Sequence, residues 1–112
     1  MAGTPEHPIT ITPFVGEVIV LRDGIEVART SRALALKEAS YPVVFYVPRA
    51  DADMGSFAPN SRTTHCPFKG DASYFDLPGA PAAVWSYETP IADVAEIAGH
   101  LAFYPDKVEI RS

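Results

Sequence analysis

The chain has 112 residues and a mass of 12.1 kDa, a length that fits one domain and leaves little room for a second. Its 9 basic and 14 acidic residues give a formal net charge of −5. A nucleic-acid-binding protein needs a basic surface, so this balance argues against such a partner. There is no apolar run near the roughly 20 residues of a membrane-spanning helix, and no signal-peptide pattern at the N-terminus. We therefore expect a soluble, cytoplasmic domain with neither nucleic acid nor membrane as partner.

The numbers and positions of the cysteines and prolines further limit the possible architectures. The one cysteine, Cys66, excludes an internal disulfide and a zinc site built from several thiolates. The 11 prolines are spread along the chain at intervals that leave room for strands but little for long helices. We expect residues 1–8 to be a flexible N-terminal segment and residues 9–112 to form a single β domain.

The first half of the chain reads as strands. Residues 15–21 and 25–30 flank Asp23-Gly24, the pair most typical of a two-residue hairpin turn. Residues 31–38 alternate in polarity and favour a strand over a helix. Residues 43–47 are β-branched and aromatic between two prolines, which indicates a buried strand.

The second half begins with a long loop at 48–60, with one helical turn near 54–57, and loops of that length are often functional. Short strands follow at 63–66, 72–77, 82–87 and 107–111. One helix is predicted at about 90–98, with Thr89 as N-cap and Pro90 in its first turn. Its apolar stripe consists of Ile91, Val94, Ala95 and Ala98. About seven strands and one short C-terminal helix make a mostly antiparallel β domain.

Reactive side chains are crowded into residues 63–74. Hydroxyls, an imidazole, a thiol, an amine and a carboxylate share a stretch where ordinary turn residues would suffice. Cys66 is a candidate nucleophile because Lys69 and His65 could lower its pKa, although a buried packing role is the commoner use of a lone cysteine. A dyad with His65 is disfavoured, since neighbours in a strand point to opposite faces.

A second hypothesis is anion capture by Lys69, helped by Arg32 or Arg49. The alternative for Lys69 is a solvated turn residue or a partner for Asp71. For Arg32 we favour a structural ion pair, with Glu38 or Asp51 as its partner. The full phosphate-binding loop pattern is absent, so no such loop is predicted.

Aromatic residues could form the walls of a pocket. Tyr46, Trp85 and Tyr87 could line an apolar cleft with their polar tips inward. Tyr74 is a further candidate ligand-binding residue, although aromatic strand residues more often belong to the core.

Two acidic residues raise the question of a metal. Asp51 and Asp53 would share one face of a strand and could then hold a divalent cation. They lie in a polar loop, so we expect solvated carboxylates and no metal site. The sequence leaves the cofactor unknown.

Four blocks of the sequence resemble one family. Residues 64–74 read THCPFKGDASY, residues 41–51 read YPVVFYVPRAD, and residues 83–87 and 97–105 read AVWSY and IAGHLAFYP. Together they resemble the bacterial family called domain of unknown function 427, over roughly residues 7–112.

The resemblance implies a β-tent-like fold, in which two antiparallel sheets meet at an angle. It also carries a nucleotidyltransferase-like label. Members of the wider β-tent group often hold zinc with two cysteine pairs, and a chain with only Cys66 cannot supply that site.

Three functional hypotheses follow. The leading one is a small-molecule pocket, suited to an anionic ligand, around the 64–69 turn; its ligand-binding residues are Arg32, Tyr46, Arg49, Thr64, Tyr74 and Trp85. Catalysis by Cys66 and Lys69 would extend that hypothesis. The alternative is an interaction module or homodimer that pairs through an exposed strand edge, at 43–47 or 82–87, or through a shared apolar patch. The third is a nucleotidyltransferase, for which the carboxylate set is thin.

Overall fold

A computed structural model describes residues 2–112 as eleven strands and three short 3-10 helices. The first six strands are β1 Ala2–Thr4, β2 His7–Pro13, β3 Val18–Arg22, β4 Ile25–Thr30, β5 Leu34–Glu38 and β6 Val44–Tyr46. The remaining strands are β7 Ala58–Cys66, β8 Gly70–Leu77, β9 Ala80–Ser86, β10 Ala102–Phe103 and β11 Glu109–Arg111. The 3-10 helices are Arg49–Asp51, Met54–Ser56 and Ala92–Ile97. Over residues 2–112, none of these helices is long and apolar enough to cross a membrane.

The strands form three antiparallel sheets. Their orders are β1-β2-β5-β6, β10-β9-β8-β7 and β11-β3-β4. The predicted mostly β, antiparallel class is confirmed, but the expected two-sheet arrangement is not matched. The β3–β4 hairpin separates from its sequence neighbours and pairs with the distant strand β11, which makes the third sheet.

The hairpin at Asp23-Gly24 forms as predicted. Arg22 pairs with Ile25, which leaves a two-residue loop. Asp23 and Gly24 have φ values of 52° and 76°, as a type I′ turn requires at both of its central positions. Aspartate and glycine tolerate this left-handed backbone better than most residues.

Strands β1 and β2 were not predicted. Pro8 and Pro13 both fall within β2, and proline argues against a strand in the middle of a sheet because it lacks a donor. Pro8 contributes through its carbonyl instead, which accepts a hydrogen bond from the Ala39 amide at 2.8 Å. Pro13 ends the pairing with β5, opposite Leu34.

The prediction of an α-helix at 90–98 is wrong, because the segment forms a shorter 3-10 helix. Ala92–Ile97 is a 3-10 helix interrupted at Val94, where φ is −124° and ψ is 31°. Its buried side chains are Val94 and Ile97, a spacing of three that matches the three-residue turn of a 3-10 helix. The N-cap is Ile91, with no side-chain hydrogen bond, and Thr89 does not have that role.

Two apolar clusters join the sheets across the two faces of β8–β10. One contains Val20, Val84 and Phe103 and reaches the β11-β3-β4 sheet. The other contains Leu36, Tyr46 and Ala102, among others, and reaches the β1-β2-β5-β6 sheet. The neighbours Ala102 and Phe103 belong to different clusters because successive strand residues point to opposite faces.

The first two sheets are joined edge to edge by one backbone bridge. Val47, just after β6, and Leu101, just before β10, exchange two backbone hydrogen bonds of 2.8 Å each. The named strands β6 and β10 are not paired beyond this bridge in the described residues. The two strands nevertheless lie side by side, with several of their Cα atoms within 8 Å of each other.

Candidate functional site

A cavity of about 490 Å³ lies near that bridge, lined by residues from all three sheets, and we call it the seam cavity. Phe45 and Phe103, each two residues from the bridge, are among its lining residues. The lining residues are Glu38, Tyr41, Pro42, Val43, Val44, Phe45, Trp85, Phe103, Pro105, Ile110 and Ser112. Most are apolar, and both the volume and the lining are typical of sites for small organic molecules.

Glu38 is the single acidic side chain among those lining residues. One carboxylate oxygen accepts a hydrogen bond from the Lys69 ammonium, and the other lies 2.6 Å from Nε2 of His7. The side chains of Glu38 and Lys69 are only 14% and 11% exposed. The cavity therefore has one charged end, in which a carboxylate is held between two donors.

The carboxylate is stabilised in its ionised form. Burial alone would raise the pKa of Glu38, but the hydrogen bonds from His7 and Lys69 outweigh it and hold that pKa below its ordinary value of 4.5. An ionised carboxylate offers about four acceptor positions, of which these partners use two. Glu38 can therefore accept a further hydrogen bond from a donor in the cavity.

The turn between β7 and β8 positions Lys69 beside the Glu38 carboxylate. The Lys69 amide donates to the Cys66 carbonyl at 3.2 Å, and the Lys69 carbonyl accepts from the Ile91 amide at 3.0 Å. Next to it, the Phe68 ring stacks on His7 at 4.1 Å between centroids. The turn thus fixes both partners of Glu38 at once.

Trp85 is the predicted ligand-binding residue that lines the seam cavity. Its indole Nε1 donates to the Tyr46 hydroxyl at 3.3 Å, and its ring lies 4.6 Å from the Tyr104 ring. Tyr46 is itself buried, and burial raises the pKa of its hydroxyl. Tyr46 therefore holds Trp85 in place from behind the cavity wall.

Thr64 and Tyr74, two other predicted ligand-binding residues, hydrogen-bond each other at 2.8 Å. The Tyr74 hydroxyl also lies 3.5 Å from that of Tyr104. Burial, followed by this contact with Tyr74, raises the pKa of Tyr104 to about 12. These hydroxyls form a chain beside Trp85 and are not among the residues that line the seam cavity.

The two predicted anion-binding arginines are not brought together with Lys69. Arg32 pairs with Asp51 at 3.1 Å, which is the structural ion pair favoured from the sequence. Arg49 pairs with Glu88 at 2.8 Å. Each guanidinium is thus engaged by a carboxylate away from the seam cavity.

Cys66 and Lys69, the two predicted catalytic residues, have different surroundings. Cys66 is half-buried and packs against the cluster that contains Tyr46. His65 points away from it and lies 2.7 Å from Asp71, as the alternation of a strand requires. Lys69 is paired with Glu38 rather than with Asp71.

The two aspartates of the 48–60 loop have separate partners. Asp51 accepts from the Thr30 hydroxyl at 2.6 Å, whereas Asp53 accepts from the Ser56 hydroxyl at 2.8 Å. Within residues 2–112, no group of three metal-binding side chains is brought together.

Sequence reasoning missed His7 and Glu38 as members of the site. A signal for Glu38 was present, because it follows Leu34 and Leu36 at alternate positions and so shares their apolar face. An acidic residue on the buried face of a strand needs a partner or a function. No comparable signal marked His7.

The chain belongs to the family described as domain of unknown function (DUF427), whose model matches residues 10–112. A search of curated proteins found no match.

Proposed function

We propose that the seam cavity binds a small, largely apolar organic molecule that places a hydrogen-bond donor or a cationic group against Glu38. The observation that most directly supports this proposal is that the ionised carboxylate of Glu38 lines a cavity of about 490 Å³ whose walls are mostly apolar. Such cavities bind through apolar contact and use a few polar groups to orient the ligand.

The charges around the cavity favour a ligand that donates a hydrogen bond to Glu38 over an anionic ligand. The residues that line the cavity include no lysine or arginine. The ammonium of Lys69 is already matched to Glu38, and Arg32 and Arg49 have their own carboxylates. The anionic ligand expected from the sequence is therefore the less favoured alternative.

The proposal is binding rather than catalysis. Neither predicted catalytic residue, Cys66 or Lys69, lines the seam cavity. Lys69 acts on the site through Glu38, whose charge and orientation it helps to fix.

The test uses Trp85, the single tryptophan, as its own reporter. Benzylamine, benzyl alcohol and benzoate have similar size and differ in charge, and each is titrated against tryptophan fluorescence. We expect saturable changes in the affinity order benzylamine, benzyl alcohol, benzoate, because only the first two can donate to Glu38. Saturable binding of benzoate alone would contradict the proposal.

Two matched variants locate the binding. Val43 is 49% exposed and lines the cavity, whereas Ile25 is 69% exposed and lies on β4, away from it. Val43→Arg introduces bulk and charge at the cavity mouth and should abolish the fluorescence response. Ile25→Arg makes the same chemical change elsewhere and should leave it intact. Equal responses from both variants would place the probe outside the seam cavity.

A second proposal is homodimerisation, which the exposed side chains of Tyr41 and Val43 beside edge strand β6 favour. The other edge considered from the sequence, at β9, is covered by β10. Sedimentation across a concentration series should show a dimer that Val43→Arg dissociates. A monomer throughout the series would remove this proposal.

A further inference from the structure

We infer that a second cavity, to which Arg62, Tyr104 and Lys107 contribute, binds a phosphate group, either as the free ion or at the end of a larger molecule. Its other lining residues are Ala82 and Asp106, and among residues 2–112 it shares none with the seam cavity. The inference therefore goes beyond the function proposed above. The volume of the second cavity is about 220 Å³, which is small for a whole organic ligand and suits a small anion or one anionic end group.

The cations of the second cavity differ from most others in the protein. Of the nine basic side chains, most are paired with a carboxylate. Within residues 2–112 the exceptions are Lys37, Arg62 and Lys107, and the last two line the same cavity. Because acidic side chains are in excess in a chain with a net charge of −5, two such cations at one cavity indicate a site for an external anion.

A bulge in β7 places Arg62 at this cavity. The pairing of β7 with β8 shifts register between Asn60 and Thr63, so Arg62 lies outside the regular ladder, and bulges of this kind redirect side chains. The Arg62 amide donates to the side-chain oxygen of Asn60 at 2.8 Å, and its guanidinium lies 4.8 Å from the centre of the Tyr74 ring. A guanidinium held over an aromatic face keeps its N–H edge available for the oxygens of a phosphate.

A second irregular segment forms another wall of the cavity. Ala82 has a φ of 51°, although it lies within β9 and carries a Cβ. One carboxylate oxygen of Asp76 accepts from the Ala82 amide at 2.7 Å and from the Asn60 side chain at 2.8 Å. The same carboxylate thus connects the irregular segments of β7 and β9. Backbone strain of this kind concentrates at binding sites, where it fixes a geometry in advance of the ligand.

Lys107 and Tyr104 supply the remaining donors. The Lys107 ammonium donates to the Pro81 carbonyl at 2.6 Å, which leaves two of its three N–H groups for a ligand. Burial raises the pKa of Tyr104 to about 12, so its hydroxyl is protonated at neutral pH and can donate. A phosphate group, with close to two negative charges and at least three acceptor oxygens, uses two cations and a hydroxyl more completely than a carboxylate does.

The test follows backbone amide chemical shifts during titration with inorganic phosphate at constant ionic strength. We expect saturable changes at Arg62, Ala82 and Lys107, with a Kd in the millimolar range. Phenyl phosphate, titrated in the same way, distinguishes the source of the phosphate. Binding at least as tight as that of inorganic phosphate indicates the end group of a larger molecule, and weaker binding indicates the free ion. If neither probe gave saturable changes at these amides, the site would be overturned.

Matched lysine variants test the assigned cations. Lys107→Gln should weaken phosphate binding about tenfold or more, the effect of losing one charge-assisted hydrogen bond. Lys37→Gln is the control, because Lys37 also donates to backbone carbonyl oxygens but lies outside the cavity. It should leave the affinity unchanged. Equal weakening by both variants would show a general charge effect and overturn the site.

Asp106 gives a variant of opposite sign. It is the acidic side chain that lines the second cavity, and its charge opposes that of a phosphate. Asp106→Asn should therefore tighten phosphate binding about two- to fivefold, a gain that a merely structural role of these residues would not produce. Weaker binding by this variant would contradict the assignment.

Discussion

His7 and Glu38 are 31 residues apart in the chain, and their side chains meet with 2.6 Å between Nε2 and Oε2. Because the ionised carboxylate can only accept, Nε2 is the donor in this contact. The contact ties β2 to the same carboxylate that faces the seam cavity. The N-terminal strands therefore take part in the site and do more than complete a sheet.

The first prediction concerns the charge of Glu38. Glu38→Gln removes the carboxylate and leaves the Lys69 ammonium, which is 11% exposed, without its counter-charge. We expect a loss of about 2 kcal/mol in the free energy of unfolding, less than for a fully buried ion because the glutamine carbonyl still accepts a hydrogen bond. Urea denaturation measures the change.

A double variant checks the cause of that loss. Glu38→Gln combined with Lys69→Met removes the uncompensated charge as well, so part of the lost stability should return. A double variant less stable than Glu38→Gln alone would show that Lys69 contributes through packing instead.

The second prediction concerns pH. The pKa of Glu38 is lower in the folded protein than its ordinary value of 4.5, so the unfolded chain binds a proton more readily than the folded one. The stability that Glu38 contributes is complete above about pH 4.5 and is lost as pH falls through the folded pKa. We expect the difference in unfolding free energy between the wild type and Glu38→Gln to shrink below pH 4.5. A difference that stays constant down to acid pH would contradict the pKa direction.

The third prediction concerns the β1–β2 hairpin. Gly3 has a φ of 78°, and a Cβ at this position would lie 2.2 Å from the His7 carbonyl oxygen. We expect Gly3→Ala to separate β1 from β2 and to speed hydrogen exchange locally. Gly24 has a similar φ of 76° with no atom within 4 Å of such a Cβ. Gly24→Ala should therefore cost only about 1 kcal/mol, from backbone strain. Equal local exchange in β1 for both variants would count against the clash.

The fourth prediction concerns the support of Trp85. Tyr46→Phe removes the hydroxyl that accepts from the indole, so we expect a loss of about 1 kcal/mol and a shifted emission maximum. Tyr87→Phe is the matched control, since Tyr87 is also buried but has no side-chain hydrogen bond within residues 2–112. An unchanged emission maximum in Tyr46→Phe would contradict the role of its hydroxyl.

Local patterns predicted most of the strands but not their grouping. The turn at Asp23-Gly24 and the apolar run at 43–47 mark β4 and β6 because their signals lie within a few residues. The third sheet depends on pairing between β3 and β11, which no local pattern reports. The 3-10 helix at Ala92–Ile97 was mistaken for an α-helix because the two share apolar positions at a spacing of three.

The site was less predictable than the fold. The chemistry-rich turn did supply one member, Lys69, but its partner came from β5 and not from neighbouring Asp71. Trp85 was predicted as a ligand-binding residue from its aromatic character, and it lines the cavity. The cavity itself is lined by residues from three different sheets, a feature of tertiary geometry with no sequence signature.

The bridge between the first two sheets also has a mechanical consequence. Two hydrogen bonds between Val47 and Leu101 join the two sheets, and each sheet keeps its own internal ladder on either side of them. A small rotation about these two bonds would change the width of the seam cavity without breaking any pairing inside a sheet. We therefore expect the girth of an accepted molecule to vary more freely than the polar contacts that orient it.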